Sequence, residues 1–307
     1  MKKPLLFIIA SMMIAEAYAA RPHGKMTELN IMSFNIRYEN KFDKENGWDD
    51  RKEACIEVIR RESPDVAGFQ EPRIRQVNYL TENLADYANV RLGNDFGLKG
   101  REDGGYHVMI MWKRDKYLML DHGSFWMSET PEKASIGWDA HNRRVAVWVR
   151  LMDLKTRKQF VYLTTHFDHK GVVARQKEAE MIADRIREMS AADPTLPVFV
   201  SGDLNMRIDN PSLAPLHALM RPARETAPET DDKPSYNGFG KTRQHYLDHI
   251  FYRNAEPVRY RTLDGDYGVP YVSDHYPVIC TFRLYPVEKR RRFENAAVKK
   301  DVASDKN

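Results

Sequence analysis

Val198-Phe199-Val200-Ser201-Gly202-Asp203-Leu204-Asn205 is the stretch on which the reading of this chain turns. An apolar run of strand length stops at a small residue and a glycine, and then an Asp and an Asn stand two apart. Residues i and i+2 of an extended segment point to the same face. A buried strand is therefore expected to deliver two oxygen-bearing side chains to one place. Alone, Gly-Asp followed by Asn is also ordinary turn chemistry, so the rest of the chain has to supply what meets them.

Working outward, Leu29 to Ile36 alternates like a strand and carries Asn35 near its end. Trp48 to Glu62 places Ala54, Cys55, Val58 and Ile59 on one helical face, and Ser63-Pro64 stops it. Asp65 to Glu71 is a short apolar strand ending in a carboxylate, followed by a second helical stretch to about Leu84. From Tyr106 onward the pattern changes. Val108 to Trp112, Tyr117 to Asp121, Ser124 to Met127, Arg144 to Asp153 and Gln159 to Thr165 read as strands with no room for helices between most of them, hence antiparallel hairpins. Val173 to Met189 is a helix, Leu213 to Met220 a short one, and Arg221 to His245 a long polar loop of the kind that carries function. Tyr246 to Tyr252, Val258 to Leu263 and Pro277 to Tyr285 complete the strands. Mixed strands with a few covering helices point to an α+β or α/β arrangement of two packed sheets flanked by helices.

The termini read differently. Lys2 and Lys3 precede the apolar run Leu5 to Ile14, and Ala17-Tyr18-Ala19 offers small residues for a signal peptidase. Residues 1–19 are predicted to be a signal peptide, since the run falls short of the ~20 residues a bilayer requires. The expected product is exported: periplasmic, extracellular or membrane-associated, with no transmembrane segment in the mature chain. Residues 20–285 form one domain by size and composition. Residues 286–307, with Lys289, Arg290, Arg291, Arg292, Lys299 and Lys300, read as a solvated basic tail. Cys55 and Cys280 allow either a disulfide or two buried thiols.

Several predicted strands end in polar sets: Asn35, Gln70-Glu71, His166-Phe167-Asp168, Asp203-Leu204-Asn205, Asp248-His249 and Asp274-His275. Six such endings would concentrate charge at one rim, where crowded carboxylates need a cation or donors. Hard oxygen donors favour magnesium, manganese or calcium. Zinc is disfavoured, because neither His-Glu-x-x-His nor Cys-x-x-Cys occurs in the sequence. Adjacent strand residues face opposite sides, so His249 is assigned a structural role if Asp248 enters the site.

The motifs Ser-Phe-Asn-Ile-Arg (33–37), Gly-Phe-Gln-Glu (68–71), Thr-His-Phe-Asp (165–168), Gly-Asp-Leu-Asn (202–205), Leu-Asp-His-Ile-Phe (247–251) and Ser-Asp-His-Tyr-Pro-Val (273–278) together resemble, in order, those of the endonuclease/exonuclease/phosphatase superfamily. The resemblance runs from about Leu29 to Leu284. It implies a four-layer sandwich like that of deoxyribonuclease I and exonuclease III, and a phosphoester hydrolase dependent on Mg²⁺, or Mn²⁺. By motif, Glu71 resembles the principal metal ligand, with Asn35 and Asp274 close to the ion. Asp203 resembles the residue that orients or deprotonates the attacking water, and Asn205 the one that holds it and a phosphate oxygen. His275, oriented by Asp248, and His166 would contact the phosphate. In-line attack on phosphorus needs such a division between nucleophile, charge neutralisation and leaving oxygen. The sequence departs from the family where a Glu partner of His166 is expected, and places Tyr106 or Gly105 there.

Substrate signals are thinner. Arg143 and Arg144 could hold a second phosphate, and Tyr236 could stack on a base or sugar. Trp138 and Phe239 read as packing, while Asp168, His169 and Lys170 divide evenly between polar loop and substrate contact. The expected substrate is phosphorylated: a nucleic acid, a sugar or inositol phosphate, or a lipid headgroup, with no protein partner predicted. A nuclease proper is the alternative within the class. From other classes, a glycoside hydrolase needs two facing acids but not the Asn and His set, and a catalytically silent binding domain would lack ligands.

Overall fold

A computed structural model describes residues 26–285; the predicted signal peptide and basic tail lie outside the described residues. The strands are β1 (Thr27–Asn35), β2 (Val66–Gln70), β3 (Tyr87–Gly93), β4 (His107–Lys113), β5 (Tyr117–Trp126), β6 (Val145–Asp153), β7 (Gln159–His166), β8 (Val198–Asp203), β9 (Arg221–Pro222), β10 (Asp248–Arg253), β11 (Glu256–Thr262) and β12 (Val278–Leu284). The three long helices are α1 (Trp48–Glu62), α2 (Ile74–Asn83) and α3 (Val172–Ser190). Among the described residues none is long and apolar enough to cross a membrane.

Two six-stranded sheets result, ordered β11-β12-β1-β2-β4-β3 and β5-β6-β7-β8-β10-β9. Each has one parallel pair near its middle, β1 with β2 and β7 with β8, and is otherwise antiparallel. Those are the two places where a helix crosses over between strands, as parallel pairing requires. The layers follow from alternation within strands. Leu29, Ile31, Val66 and Ile110 meet Val147, Val149, Phe160, Tyr162 and Phe199 between the sheets. Met32, Phe34, Met109 and Met111 point the other way, onto the Ala54, Cys55, Val58 and Ile59 stripe of α1 and Val77 and Leu80 of α2. Val161, Leu163, Val198 and Val200 pack likewise on Ala179, Ile182, Ala183 and Ile186 of α3. The result is the expected helix-sheet-sheet-helix sandwich.

Three details differ from the sequence reading. The two strands expected over 117–127 are one strand with a register shift between Met119 and Asp121, a bulge that breaks the alternation. The unassigned β3 is an edge strand whose burial does not alternate along its length, which leaves little period-2 signal. The polar loop starting at Arg221 contributes β9, whose Pro222 pairs at the sheet edge with Phe251, where a missing N–H is tolerated. Cys55 and Cys280 are both buried free thiols.

Near the site the intersheet contact turns polar. Gln70 donates to Thr164 Oγ1 at 2.9 Å, and Tyr162 and Ser201 share a hydrogen bond at 2.5 Å. Gly68 makes room for this layer: a Cβ there would stand 2.3 Å from the Tyr162 hydroxyl and 2.4 Å from Thr164 Oγ1.

Candidate active site

The topology explains why polar residues far apart in sequence meet. Strands β1, β2, β7 and β8 end at one rim, and β10 and β12, antiparallel to β8 and β1, start there. Asn35, Glu71, His166, Asp203, Asp248, Asp274 and His275 are thereby gathered. Asp203 is the register partner of both His166 and Asp248.

Asp203 is the hub. Its Oδ2 accepts from Asn35 Nδ2 at 3.0 Å and lies 3.4 Å from His166 Nε2 and 3.7 Å from His275 Nε2. Its Oδ1 accepts the Asn205 N–H at 2.9 Å, which curls the chain back under the carboxylate. Asn205 adopts a left-handed backbone (φ 51°), a conformation Asn tolerates better than most residues. The amide of Asn205 donates to Phe167 O at 2.9 Å and meets His166 Nε2 at 3.1 Å. Since the amide NH₂ is fixed by that carbonyl, Nε2 of His166 accepts and its proton sits on Nδ1, 3.9 Å from Glu71 Oε1. The partner question raised by Tyr106 resolves here: Asn205 holds the His166 ring, and among the described hydrogen bonds Tyr106 does not.

Glu71 also sits in a left-handed turn (φ 74°), just past β2. Its oxygens accept from Asn35 Nδ2 at 3.3 Å and from the Tyr38 N–H at 3.1 Å. Asp274 lies 3.6 Å from Arg37 Nη1. The Ser273 hydroxyl donates to Asn35 O at 2.7 Å, tying the β12 approach to the end of β1.

Two support residues escape the sequence reading. Arg51, fully buried on α1, donates to four carbonyls, of Asn46, Ile36, Arg37 and Val272, at 2.6–3.2 Å. It clamps the loops that carry Arg37 and Asp274; a charge on the apolar stripe of α1 was the available signal. Tyr38 aligns Glu71 through its backbone, for which no side-chain signal exists.

The electrostatics set two opposite proton preferences. Burial, with the like charge of Asp248, pushes Asp203 up to about 7 against the pull of His275. Burial opposes the charged form of His275, but Asp248, bonded to its Nδ1 at 2.7 Å, and Asp203 outweigh it and raise it well above the usual histidine range. Burial, Arg144 and His275 instead hold His166 well below that range, so it is neutral. Burial also raises Asp274. The cleft thus holds a carboxylate able to take a proton near neutrality beside an imidazolium able to donate a hydrogen bond.

Metal binding is tested by the donor set. Glu71, Asp203, Asp248 and Asp274 crowd one floor, faced by the cations His275 and Arg37, and Arg37 also pairs with Asp43 at 3.0 Å. That leaves an excess of negative charge, and hard oxygen donors at Glu71 and Asp274, which suit a divalent cation. Asp203, Asp248 and His275 also have the proximity of an ion-binding group, their ligand-type atoms within 4.8 Å of one another. While His275 keeps its proton, however, its Nε2 has no lone pair for an ion.

A cleft of about 480 Å³ opens over this floor, lined also by Arg37, Tyr38, Tyr106, Asn142, Arg144 and Tyr236. Arg144 donates to Asp168 Oδ2 at 3.3 Å and contacts His169 Nδ1 at 3.2 Å. Tyr236 packs its ring 4.9 Å from that of His275. Arg143 is not brought into the cleft; its guanidinium pairs with Asp95 at 3.1 Å. His249 faces away and bonds Met206 O at 2.8 Å, the structural role expected of it. Phe239 packs edge-on against Tyr271.

The comparisons agree with this geometry. The sequence profile of the endonuclease/exonuclease/phosphatase family matches residues 32–275. The structure is similar to that of an endonuclease/exonuclease/phosphatase family protein from Bacteroides thetaiotaomicron, with TM-score 0.78 and 26% identity over 85% of this chain and 99% of that one. It is also similar to a mannosyl-6-phosphatase of the same organism, with TM-score 0.77 and 27% identity over 83% of this chain and 99% of that one. An uncharacterised protein of Acanthamoeba polyphaga mimivirus is 24% identical over 276 residues, 83% of this chain and 100% of its own. With the family profile spanning most of the chain and the strand-end motifs converging on one cleft, the protein belongs to the endonuclease/exonuclease/phosphatase family, hydrolases of phosphoester bonds.

Proposed function

We propose that the protein is a Mg²⁺-dependent phosphoesterase that hydrolyses a small phosphomonoester by in-line attack of water. The observation that carries this reading is the pairing, on the floor of one cleft, of Asp203, raised to about 7, with the Asp248-bound His275, 3.7 Å apart. Asp203 takes the proton of the attacking water as the new P–O bond forms and the ester P–O bond breaks, the alcohol oxygen leaving and taking its proton from solvent water. Asn205 positions that water through its amide oxygen, and His275 donates from Nε2 to a non-bridging oxygen whose charge grows in the transition state. Neutral His166 donates from Nδ1. Glu71 and Asp274, with Asn35 beside them, would hold the ion, which when bound neutralises phosphate charge and stabilises the departing oxygen.

Two points favour a small monoester over a polymer. A nuclease relies on a basic face that tracks phosphates, whereas acidic residues slightly outnumber basic ones among residues 26–285. Of the solved structures described above, one is a mannosyl-6-phosphatase.

With Mg²⁺ the purified protein is expected to hydrolyse p-nitrophenyl phosphate, and EDTA to abolish this reversibly. Asp203→Ala and His275→Ala should each lower kcat by roughly 10²–10⁴, the usual worth of a general base or an oxyanion donor, with an unchanged circular dichroism spectrum. Full turnover in excess EDTA, or in Asp203→Ala, would sink the mechanism.

A further inference from the structure

We propose that the corner of the cleft formed by His141, Asn142, Arg144 and His169 is the subsite for the organic half of the substrate, a polyol such as a sugar or cyclitol ring. This inference rests on the phosphoesterase reading and names what that site recognises.

All four residues line the same cleft as Glu71, Asp203 and His275. Arg144 and His169 act electrostatically on His166, so the corner adjoins the phosphate floor. It is held rigidly from behind. Buried Asp168 accepts the Asn142 N–H at 3.1 Å and Arg144 Nε at 3.3 Å with one oxygen, and the N–H groups of Lys170 and Gly171 at 2.9 and 2.8 Å with the other. Asp139 accepts the N–H groups of Val173 and Ala174 at the start of α3, at 3.2 and 2.7 Å. The loop bearing His141 and Asn142 is therefore tied to the start of α3 through Asp139 and to the β7–α3 loop through Asp168, and ordering it costs little when a ligand arrives.

The chemistry of the corner selects hydroxyls over a second phosphate. The guanidinium of Arg144 is balanced by Asp168, and its Nη2 is engaged by His169 Nδ1 at 3.2 Å. Burial and Arg144 lower the proton affinity of His169, so this corner brings no surplus positive charge. The exposed rings of His141 and His169 stand perpendicular with centroids 5.1 Å apart; with its Nδ1 taken by Arg144, His169 donates from Nε2, while the amide of Asn142 both donates and accepts, as hydroxyls do. Tyr38 and Tyr106, packed at 4.9 Å, line the same cleft.

The test compares kcat/KM for a hexose 6-phosphate, myo-inositol 1-phosphate, a hexose 1,6-bisphosphate and p-nitrophenyl phosphate, in wild type, His141→Ala, His169→Ala and Asn142→Ala. The wild type is expected to prefer a polyol phosphate, with the better of sugar and cyclitol identifying the ring. In each variant the ratio of kcat/KM for that substrate over p-nitrophenyl phosphate should fall about tenfold, chiefly through KM. Unchanged ratios in all three variants overturn the subsite, as does a bisphosphate preferred tenfold over the monophosphate. A wild type that cleaves p-nitrophenyl phosphate but no polyol phosphate overturns the subsite and spares the phosphoesterase reading. A wild type that cleaves none of them overturns both.

Discussion

Glu178 shows how a single residue can stand apart from the chemistry and still govern the protein's response to pH. It lies on α3 with no exposed surface, one oxygen accepting the Asp168 N–H at 2.9 Å and the other without a hydrogen-bond partner among the described residues. Burial raises it from 4.5 to about 8. The folded state therefore keeps a proton that the unfolded chain releases near 4.5. Below that pH both states are protonated and there is no penalty; stability is lost as pH rises from there through about 8. Glu178→Gln, which keeps the hydrogen bond to Asp168, is expected to match wild type in Tm below pH 4.5 and to exceed it increasingly toward pH 9. A difference in Tm that stays constant from pH 5 to 9 would contradict this. Glu178 was not legible in the sequence, since a Glu among Ala and Ile on a helix looks the same whether it is solvated or buried. The acids that form the site were legible, because each stands at the end of an apolar strand. Arg143 and Arg144 mark the limit of that logic. Neighbours in sequence, they part to Asp95 and Asp168, and adjacency gives no sign of which one turns into the cleft.

At the scale of the element, β8 delivers the site through a glycine whose backbone lies against β7. Gly202, paired with Thr165, has φ 155°, and a Cβ built on it would stand 2.0 Å from Thr165 O. No side-chain rotation relieves a clash between Cβ and backbone, so Gly202→Ala must shift the strand. That shift would carry Asp203 and Asn205 away from His166. The expected cost is roughly 1–3 kcal/mol of stability, seen as a lower Tm, and a larger proportional loss of turnover. A variant with wild-type Tm and activity would show that the strand spacing is not set there. The three long helices were readable to within a residue or so at their ends because apolar residues recur there at helical spacing, whereas the short helices at Ala214–His217 and Ala223–Thr226 were read over other bounds or as loop. Strand β3 was not, because an edge strand shows weak alternation, and the bulge in β5 splits one strand into what reads as two.

For the molecule as a whole, the question is how a cleft with four carboxylates on its floor stays folded. Asn35, the Tyr38 N–H, Arg37 and His275 compensate in part, and Asp203 and Asp274 are both raised, first by burial. An ion held by Glu71 and Asp274 relieves the remaining repulsion only in the folded chain, since the unfolded chain does not bring the two carboxylates together. Binding to the folded state alone stabilises by about 2.7 kcal/mol when the ligand is at 100 times its Kd. For a domain of this size that corresponds to roughly 5–10 °C in Tm. Millimolar Mg²⁺ is therefore expected to raise Tm relative to EDTA, and Glu71→Gln to abolish most of the increment while removing a like charge from the floor. The variant should consequently match or exceed wild type in EDTA and fall behind it in Mg²⁺. That crossover separates a specific ion site from general screening of surface charge, which would act on both proteins alike. Equal Tm in Mg²⁺ and EDTA for the wild type would mean that the carboxylates are compensated by the protein's own donors, and that the excess charge of the floor does not call for an ion.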